Sequence, residues 1–374
     1  MSTHTSTSAP SLAPNLVPTL APILAPTLAP TLAPGLATLL AEMPKAELHI
    51  HIEGSLEPEL IFALAGRNGL SLPYPSIEAL RTAYAFTDLQ TFLDIYYAGA
   101  SVLLTEQDFF DMTAAYLRKA AAENVRRAEL FFDPQTHTAR GVDIGVVFAG
   151  LTRAMKEVGA ETGISADLIL CFLRHLSEEE GITTLAAALP YREQFIGVGL
   201  DSSESGHPPE KFARLFAQCR ELGLRIVAHA GEEGPPSYIE SALDLLKVER
   251  IDHGVRILES TTLTHRVRDL AMALTVCPLS NVKLCVFPSL AQHNLKQLLD
   301  AGLKVTINSD DPAYFGGYLL QNFVETFAAL ELDASHAYTL ARNSLEASFA
   351  PPLAIAGWVA ELDAVFARYH AAAN

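Results

Sequence analysis

The sequence predicts an α/β protein, a (β/α)8 barrel carrying helical insertions, on three observations. From residue 45 onward, short apolar runs rich in β-forming residues alternate with longer amphipathic stretches, the pattern of a parallel sheet with crossover helices. Eight such runs can be read, and eight strand–helix units over roughly 300 residues are what a closed barrel needs. Polar residues able to do chemistry stand at the carboxyl end of one run after another, and a barrel gathers those ends at one mouth. The alternative, an open doubly wound sheet, lacks a Gly-x-Gly-x-x-Gly after the first run.

Residues 1–37 stand apart. "LAPNLVPTLAPILAPTLAPTLAPGLA" repeats Leu-Ala-Pro, and proline that frequent blocks helix and central strand, so a disordered or polyproline extension is expected. Arg and Lys are absent before Lys45, which fits neither a signal nor a transit peptide. Residues 38–374 are then expected to form a single barrel domain. Its first run, "AELHIHIEG", places His49 and His51 on one face and Leu48, Ile50 and Ile52 on the other. Taken alone, two such histidines are more often satisfied structural residues; a metal held between them is the alternative reading.

After this run, "FTDLQTFLDIYYAGASVLLTEQDFFDMTAAYLRKAAAE" offers two helices where a plain barrel has one. The second run, "VRRAELFFDP", ends at Asp133, and "SADLILCFLR" follows as the third. The fourth, "QFIGVGLDSSE", carries Asp201; the fifth, "LRIVAHAGEEG", carries His229 and Glu232; the sixth, "ERIDHGV", carries His253. "ALTVCPLSN" is the seventh, and "LKVTINSDDP" closes the set with Asp310 and Asp311. "PPEKFARLFAQCRELGL" and "LAQHNLKQLLDAGL" read as helices between them.

With 49% hydrophobic residues the chain can fill a large core. A formal net charge of −17 disfavours nucleic acid and anionic membranes as partners, and no stretch of eighteen uninterrupted apolar residues suggests a membrane span. Cys171, Cys219, Cys277 and Cys285 lack Cys-x-x-Cys spacing. They are expected to be buried free thiols in a reducing compartment, the cytoplasm.

Convergence at the mouth of a barrel favours the metal reading. His49 and His51 from the first strand, His229 from the fifth and Asp310 from the eighth supply three imidazoles and a carboxylate, a set suited to one catalytic zinc with a position left for water. Glu232, three residues beyond His229, is placed to exchange protons with a substrate over the metal; the competing reading is a carboxylate at a helix start, which suits Glu233 better. His253, one strand further round, could hold the attacking water, while Asp252 reads as structural. Asp310 and Asp311 on an extended chain would point to opposite sides, leaving Asp310 as ligand and Asp311 to reach the substrate from the turn before Pro312.

His-x-His after the first strand, "HAGE" after the fifth, "DHG" after the sixth and "SDDP" after the eighth, in that order, resemble the adenosine/adenine deaminase family from about Pro44 to near Arg342. The resemblance implies a zinc (β/α)8 barrel that replaces the 6-amino group of a purine with oxygen. By motif it implies that His49, His51, His229 and Asp310 hold zinc, Glu232 protonates the purine N1, His253 positions water and Asp311 meets N7. The Cys-ligated deaminase signature, His-x-Glu with Pro-Cys-x-x-Cys, is absent.

Glu53 departs from the pattern of adenosine deaminases, which usually carry Asp there, toward the ribose 5′-hydroxyl. One methylene longer, it could fill space a ribose needs or engage the base edge. "ELFFDPQTHT", "GLDSSESGHPP" and "NSDDPAYFGGY" look like the adenine deaminase branch of bacteria and fungi. Glu204 stands where adenosine deaminases place a Gly, and could help exclude a sugar. The expected reaction is adenine to hypoxanthine and ammonia in purine salvage. The alternatives are adenosine to inosine, or a barrel that binds purine without turnover.

Overall fold

The computed structural model describes residues 32–373. Most of the expected N-terminal extension lies outside the described residues. Residues 36 and 37, read as the end of that extension, lie in a helix that spans Leu36–Glu42, with Gly35 in the left-handed region at φ 79° before it and Leu36, Leu39 and Leu40 buried.

Eight strands pair side by side, all parallel: β1 Lys45–His51, β2 Val125–Phe132, β3 Ser165–Leu173, β4 Gly197–Asp201, β5 Arg225–Ala230, β6 Arg250–His253, β7 Ala273–Val276 and β8 Lys304–Ile307. Each falls within a run predicted from sequence, except that β1 begins one residue earlier, at Lys45. The ring closes where β8 meets β1. There the Asp310 N–H donates to the His49 carbonyl at 3.1 Å, the His51 N–H donates to the Asp310 carbonyl at 2.9 Å, and the Leu48 N–H donates to Asn308 Oδ1 at 2.9 Å. Between β1 and β2 lie four helices, of which Leu89–Ala100 and Glu106–Ala122 are the two expected in the insertion.

Alternation along the strands sorts the barrel interior from its jacket. On β2, Ala128, Leu130 and Phe132 belong to the large core shared with the outer helices, while Phe131 joins Ile169, Cys171 and Val227 in a small separate cluster. Two residues back along the face of Phe131, Glu129 accepts from Arg127 at 3.1 Å and from Arg250 at 2.6 Å, and Arg250 also donates to the Leu48 carbonyl at 3.1 Å. All three charged side chains are buried. A desolvated network of this kind holds only while each member is paired. Glu129→Ala, which takes a buried carboxylate partner from both guanidinium groups while leaving Arg127 its contact with Asp167, is expected to cost about 3 kcal/mol of stability, read from the urea midpoint. A loss below about 1 kcal/mol would mean that the arginines relax to other partners.

Cys171, Cys219 and Cys277 are buried free thiols, whereas Cys285 is exposed, against expectation. It lies past the helix Pro278–Lys283, in the left-handed region at φ 63°, where the chain turns at the surface. Among the described residues no helix is long and apolar enough to cross a membrane.

Candidate active site

The carboxyl ends of β1, β5 and β8 bring His49, His51, His229 and Asp310 together, with one ligand atom of each within 4.8 Å of all the others and every residue buried. His49 Nε2 lies 3.2 Å from Asp310 Oδ1, and His51 Nε2 lies 3.2 Å from His229 Nε2 and 3.5 Å from the same carboxylate oxygen. His49 Nε2 is buried without a hydrogen-bond partner. Nitrogens crowded so closely around one carboxylate oxygen, one of them making no hydrogen bond, fit a divalent cation between them. Burial foremost, then the neighbouring imidazoles, pushes the His229 pKa well below its ordinary value, and burial also lowers that of His51. Both are therefore neutral, the form that ligates metal. Burial opposes ionisation of Asp310, yet His49, His253 and His51 around it hold its carboxyl well below the usual range.

The other ring nitrogens are braced from behind, as metal-binding imidazoles require. His49 Nδ1 donates to Thr275 Oγ1 at 3.0 Å, and that hydroxyl donates to Asp252 at 2.9 Å. His51 Nδ1 faces Asp201 Oδ2 at 3.4 Å, and His229 Nδ1 faces Asp252 Oδ2 at 3.7 Å. Asp252, read as structural from sequence, thus stands behind two of the three imidazoles. A second possible group would exchange His51 and His229 for His253 and Cys277. Burial and then nearby carboxylates push the Cys277 thiol well up, so it remains a neutral, poor ligand.

Asp310 and Asp311 do not point to opposite sides. Asp310 has φ 64°, and a left-handed residue breaks strand alternation, so both carboxylates line the same cavity. Burial, then the charge of Asp310, raises the Asp311 pKa well above its ordinary value, making it a protonated donor. His253 is likewise left-handed at φ 63°. Strain of this kind collects at functional sites.

Glu232 does not begin a helix, since the next one starts at Pro236. It is 3% exposed in the turn after β5, with Oε1 unpartnered and Oε2 3.6 Å from His253 Nε2. Burial, followed by the charges of Asp310, Glu204 and Glu233, raises its pKa well above the carboxylate range. Glu233 does not line the cavity, and burial followed by the charges of Glu204 and Asp88 raises its pKa.

The tautomer of His253 is set by residues the sequence did not single out. The Leu295 N–H donates to His293 Nδ1 at 3.0 Å, so His293 Nε2–H donates to Asn281 Oδ1 at 3.2 Å. Asn281 Nδ2 then donates to His253 Nδ1 at 3.3 Å. The remaining proton of His253 sits on Nε2, which faces Glu232 and, at 3.7 Å, Asp310 Oδ2. Burial lowers the His253 pKa to about 3, so the ring is neutral.

An apolar wall comes from the helix Leu89–Ala100, whose Leu89, Phe92, Leu93 and Tyr96 share a face at helical spacing and line the cavity. That periodicity was the signal available for these residues. Asp133 and Asp201 also line the cavity, beside His51, with Asp133 Oδ1 and Asp201 Oδ1 buried and without hydrogen-bond partners. Glu53 lies one layer behind: its Oε1 accepts from His137 Nε2 at 2.8 Å and from the Asp133 N–H at 3.2 Å. Glu204 is also turned away from the cavity, with both oxygens engaged by the turn after β5.

A family model described as adenosine deaminase matches residues 44–363. The adenine deaminase of Cupriavidus pinatubonensis is 66% identical over 320 residues, 86% of this chain and 91% of that protein. The adenine deaminase of Trichlorobacter lovleyi is 67% identical over 329 residues, 88% and 94% of the two chains. The crystal structure of adenine deaminase from Arthrobacter aurescens is similar with a TM-score of 0.85 at 52% identity, covering 86% of this chain and 98% of that one. That of an amidohydrolase from Burkholderia ambifaria, with bound Zn, is similar with a TM-score of 0.82 at 26% identity, covering 91% and 96%. Closed parallel barrel, metal-ready mouth and a sequence matched along most of its length agree, and the chain belongs to the adenosine deaminase family.

Proposed function

We propose that this protein is a zinc-dependent adenine deaminase, converting adenine and water to hypoxanthine and ammonia with one zinc per chain in the cytoplasm. Zinc suits the quartet because imidazole nitrogens and a carboxylate oxygen are its usual ligands, and three of their separations here, 3.2, 3.2 and 3.5 Å, are short enough for one ion to be shared. The metal, when bound, supplies Lewis acidity and lowers the pKa of water to about 7.

The side chains account for the rest. Glu232, kept protonated by burial, delivers a proton to N1 as C6 is attacked, so charge does not accumulate on the ring. Asp311, also protonated, donates to N7 and fixes the plane of the base. His253 offers Nε2–H to the attacking water and holds its oxygen in place. Leu89, Phe92 and Leu93 cover the base and exclude bulk water.

The observation that carries adenine over adenosine is the pair of buried cavity oxygens, Asp133 Oδ1 and Asp201 Oδ1, that lack a hydrogen-bond partner. Glu232, His253 and Asp311 come from β5, β6 and the end of β8, and they engage the N1–C6–N7 side of the purine. The opposite edge, N3 and N9, then faces the ends of β2 and β4. Free adenine brings an N9–H donor to acceptors that lack one, whereas a nucleoside has a sugar there and no N9–H. Glu53 contributes by fixing Asp133 from behind. Sites that pair a substrate N–H reject analogues lacking it by about 10⁴–10⁵-fold. Comparing kcat/KM for adenine, adenosine and 9-methyladenine tests the reading, with adenine expected to lead both by at least about 10²-fold. Equal efficiency with adenosine would leave a deaminase but overturn the assignment to free base; no turnover of any of the three with zinc present would favour a purine-binding barrel.

A further inference from the structure

We infer that Glu204 is a positioning residue for Glu232, acting as an anionic plug that shapes the turn on which the proton donor sits. The inference rests on Glu232 being the acid that serves N1. Glu204 follows β4, is fully buried, and does not itself line the cavity. Its Oε1 accepts from the Gly231 N–H at 2.7 Å. Its Oε2 accepts from the N–H groups of Glu232 at 3.0 Å, Glu233 at 2.8 Å and Gly234 at 2.7 Å. Four consecutive peptides thus point their N–H bonds at one carboxylate, a concave backbone nest around an anion.

The two glycines that bracket the turn serve this arrangement. Gly231 is left-handed at φ 74°, and a Cβ at residue 234 would lie 2.5 Å from Glu204 Oε1. The sequence Gly-Glu-Glu-Gly is therefore shaped around the plug. Upstream, Arg174 donates to the His229 carbonyl at 2.7 Å and is itself fully buried. The strand end that presents the metal ligand and the turn that presents the acid are pinned by separate side chains, one cationic and one anionic. An acid must stand within hydrogen-bond reach of the atom it protonates. A displacement of about 1 Å at such a group costs about 10²-fold in rate.

The test is a double-mutant cycle on the metal-loaded full chain. Glu204→Gln preserves size but replaces one acceptor oxygen by an NH2 that opposes the converging N–H groups. With adenine it is expected to lower kcat by about 10²-fold while KM stays within about threefold and metal content is unchanged. In a Glu232→Gln background the same substitution is expected to cost less than about threefold, because the group it positions is already disabled. Losses that multiply across the cycle would show a general structural role and overturn the inference. If Glu204→Gln does not fold, Glu204→Asp, which withdraws the carboxylate by one methylene and keeps its charge, runs the same cycle with the same two outcomes. Failure of Glu232→Gln alone to slow turnover would instead sink the assignment of Glu232 as the acid.

Discussion

Glu232→Gln is expected to keep its metal and to lose turnover of adenine by about 10²–10⁴-fold or more, the range supplied by general acid catalysis. The amide preserves the shape of the side chain and can still donate a hydrogen bond to N1. It cannot transfer a proton there, so charge builds on the ring as C6 becomes tetrahedral. The backbone should not move, because the turn is held through its own N–H groups by Glu204 and not through the Glu232 side chain. Metal content should not change either, since Glu232 is outside the quartet. Steady-state kinetics beside elemental analysis decide the matter. A variant within about tenfold of the parent would call for another acid. Glu233, the nearest alternative in sequence, is a poor one, because it is not among the residues that line the cavity.

The eight strands were legible because each apolar run is short, β-rich and bounded, and because a barrel converts strand ends far apart in sequence into neighbours. His49, His51, His229 and Asp310 converge for that reason, and nothing beyond residue type and strand position was needed to nominate them. Side-chain direction was less legible. Alternation predicts opposed carboxylates at Asp310 and Asp311, but a left-handed backbone at Asp310 turns both into one cavity, and a left-handed aspartate leaves no periodic mark.

Long-range partners were hidden for a different reason. Glu204 binds four peptide N–H groups, and backbone donors carry no signature in the sequence. The chain from Leu295 through His293 and Asn281 to His253 joins a stretch read as a helix to the ends of two strand runs, and no local pattern links them. Arg127 and Glu129, two apart on β2, resemble the polar face of an exposed strand until the barrel closes over them with Arg250. Glu53 shows the same limit: its length was visible, but not that His137 and the Asp133 peptide would take it up.

Asp310→Asn is expected to abolish metal retention and, with it, activity. Asp310 is the sole anionic ligand in a set otherwise made of neutral imidazoles. Asparagine keeps the shape and removes the charge. It also tolerates the left-handed backbone at this position better than most residues. The two main-chain hydrogen bonds that stitch β8 to β1, from Asp310 N–H to His49 and from His51 N–H to Asp310, should therefore survive. The loss can then be attributed to ligation and not to opening of the barrel seam. Residues behind metal ligands typically contribute about 10–100-fold to affinity, so Asp201→Asn, acting through His51 Nδ1, sets a useful lower comparison. Asp310→Asn should exceed it, leaving well under one metal per chain after dialysis against a chelator that the parent withstands. Retention of one tightly bound metal by Asp310→Asn, or two tightly bound metals per chain in the parent, would show that the ion is held by other residues, and the group of His51, Asp133 and Asp201 would be the first place to look.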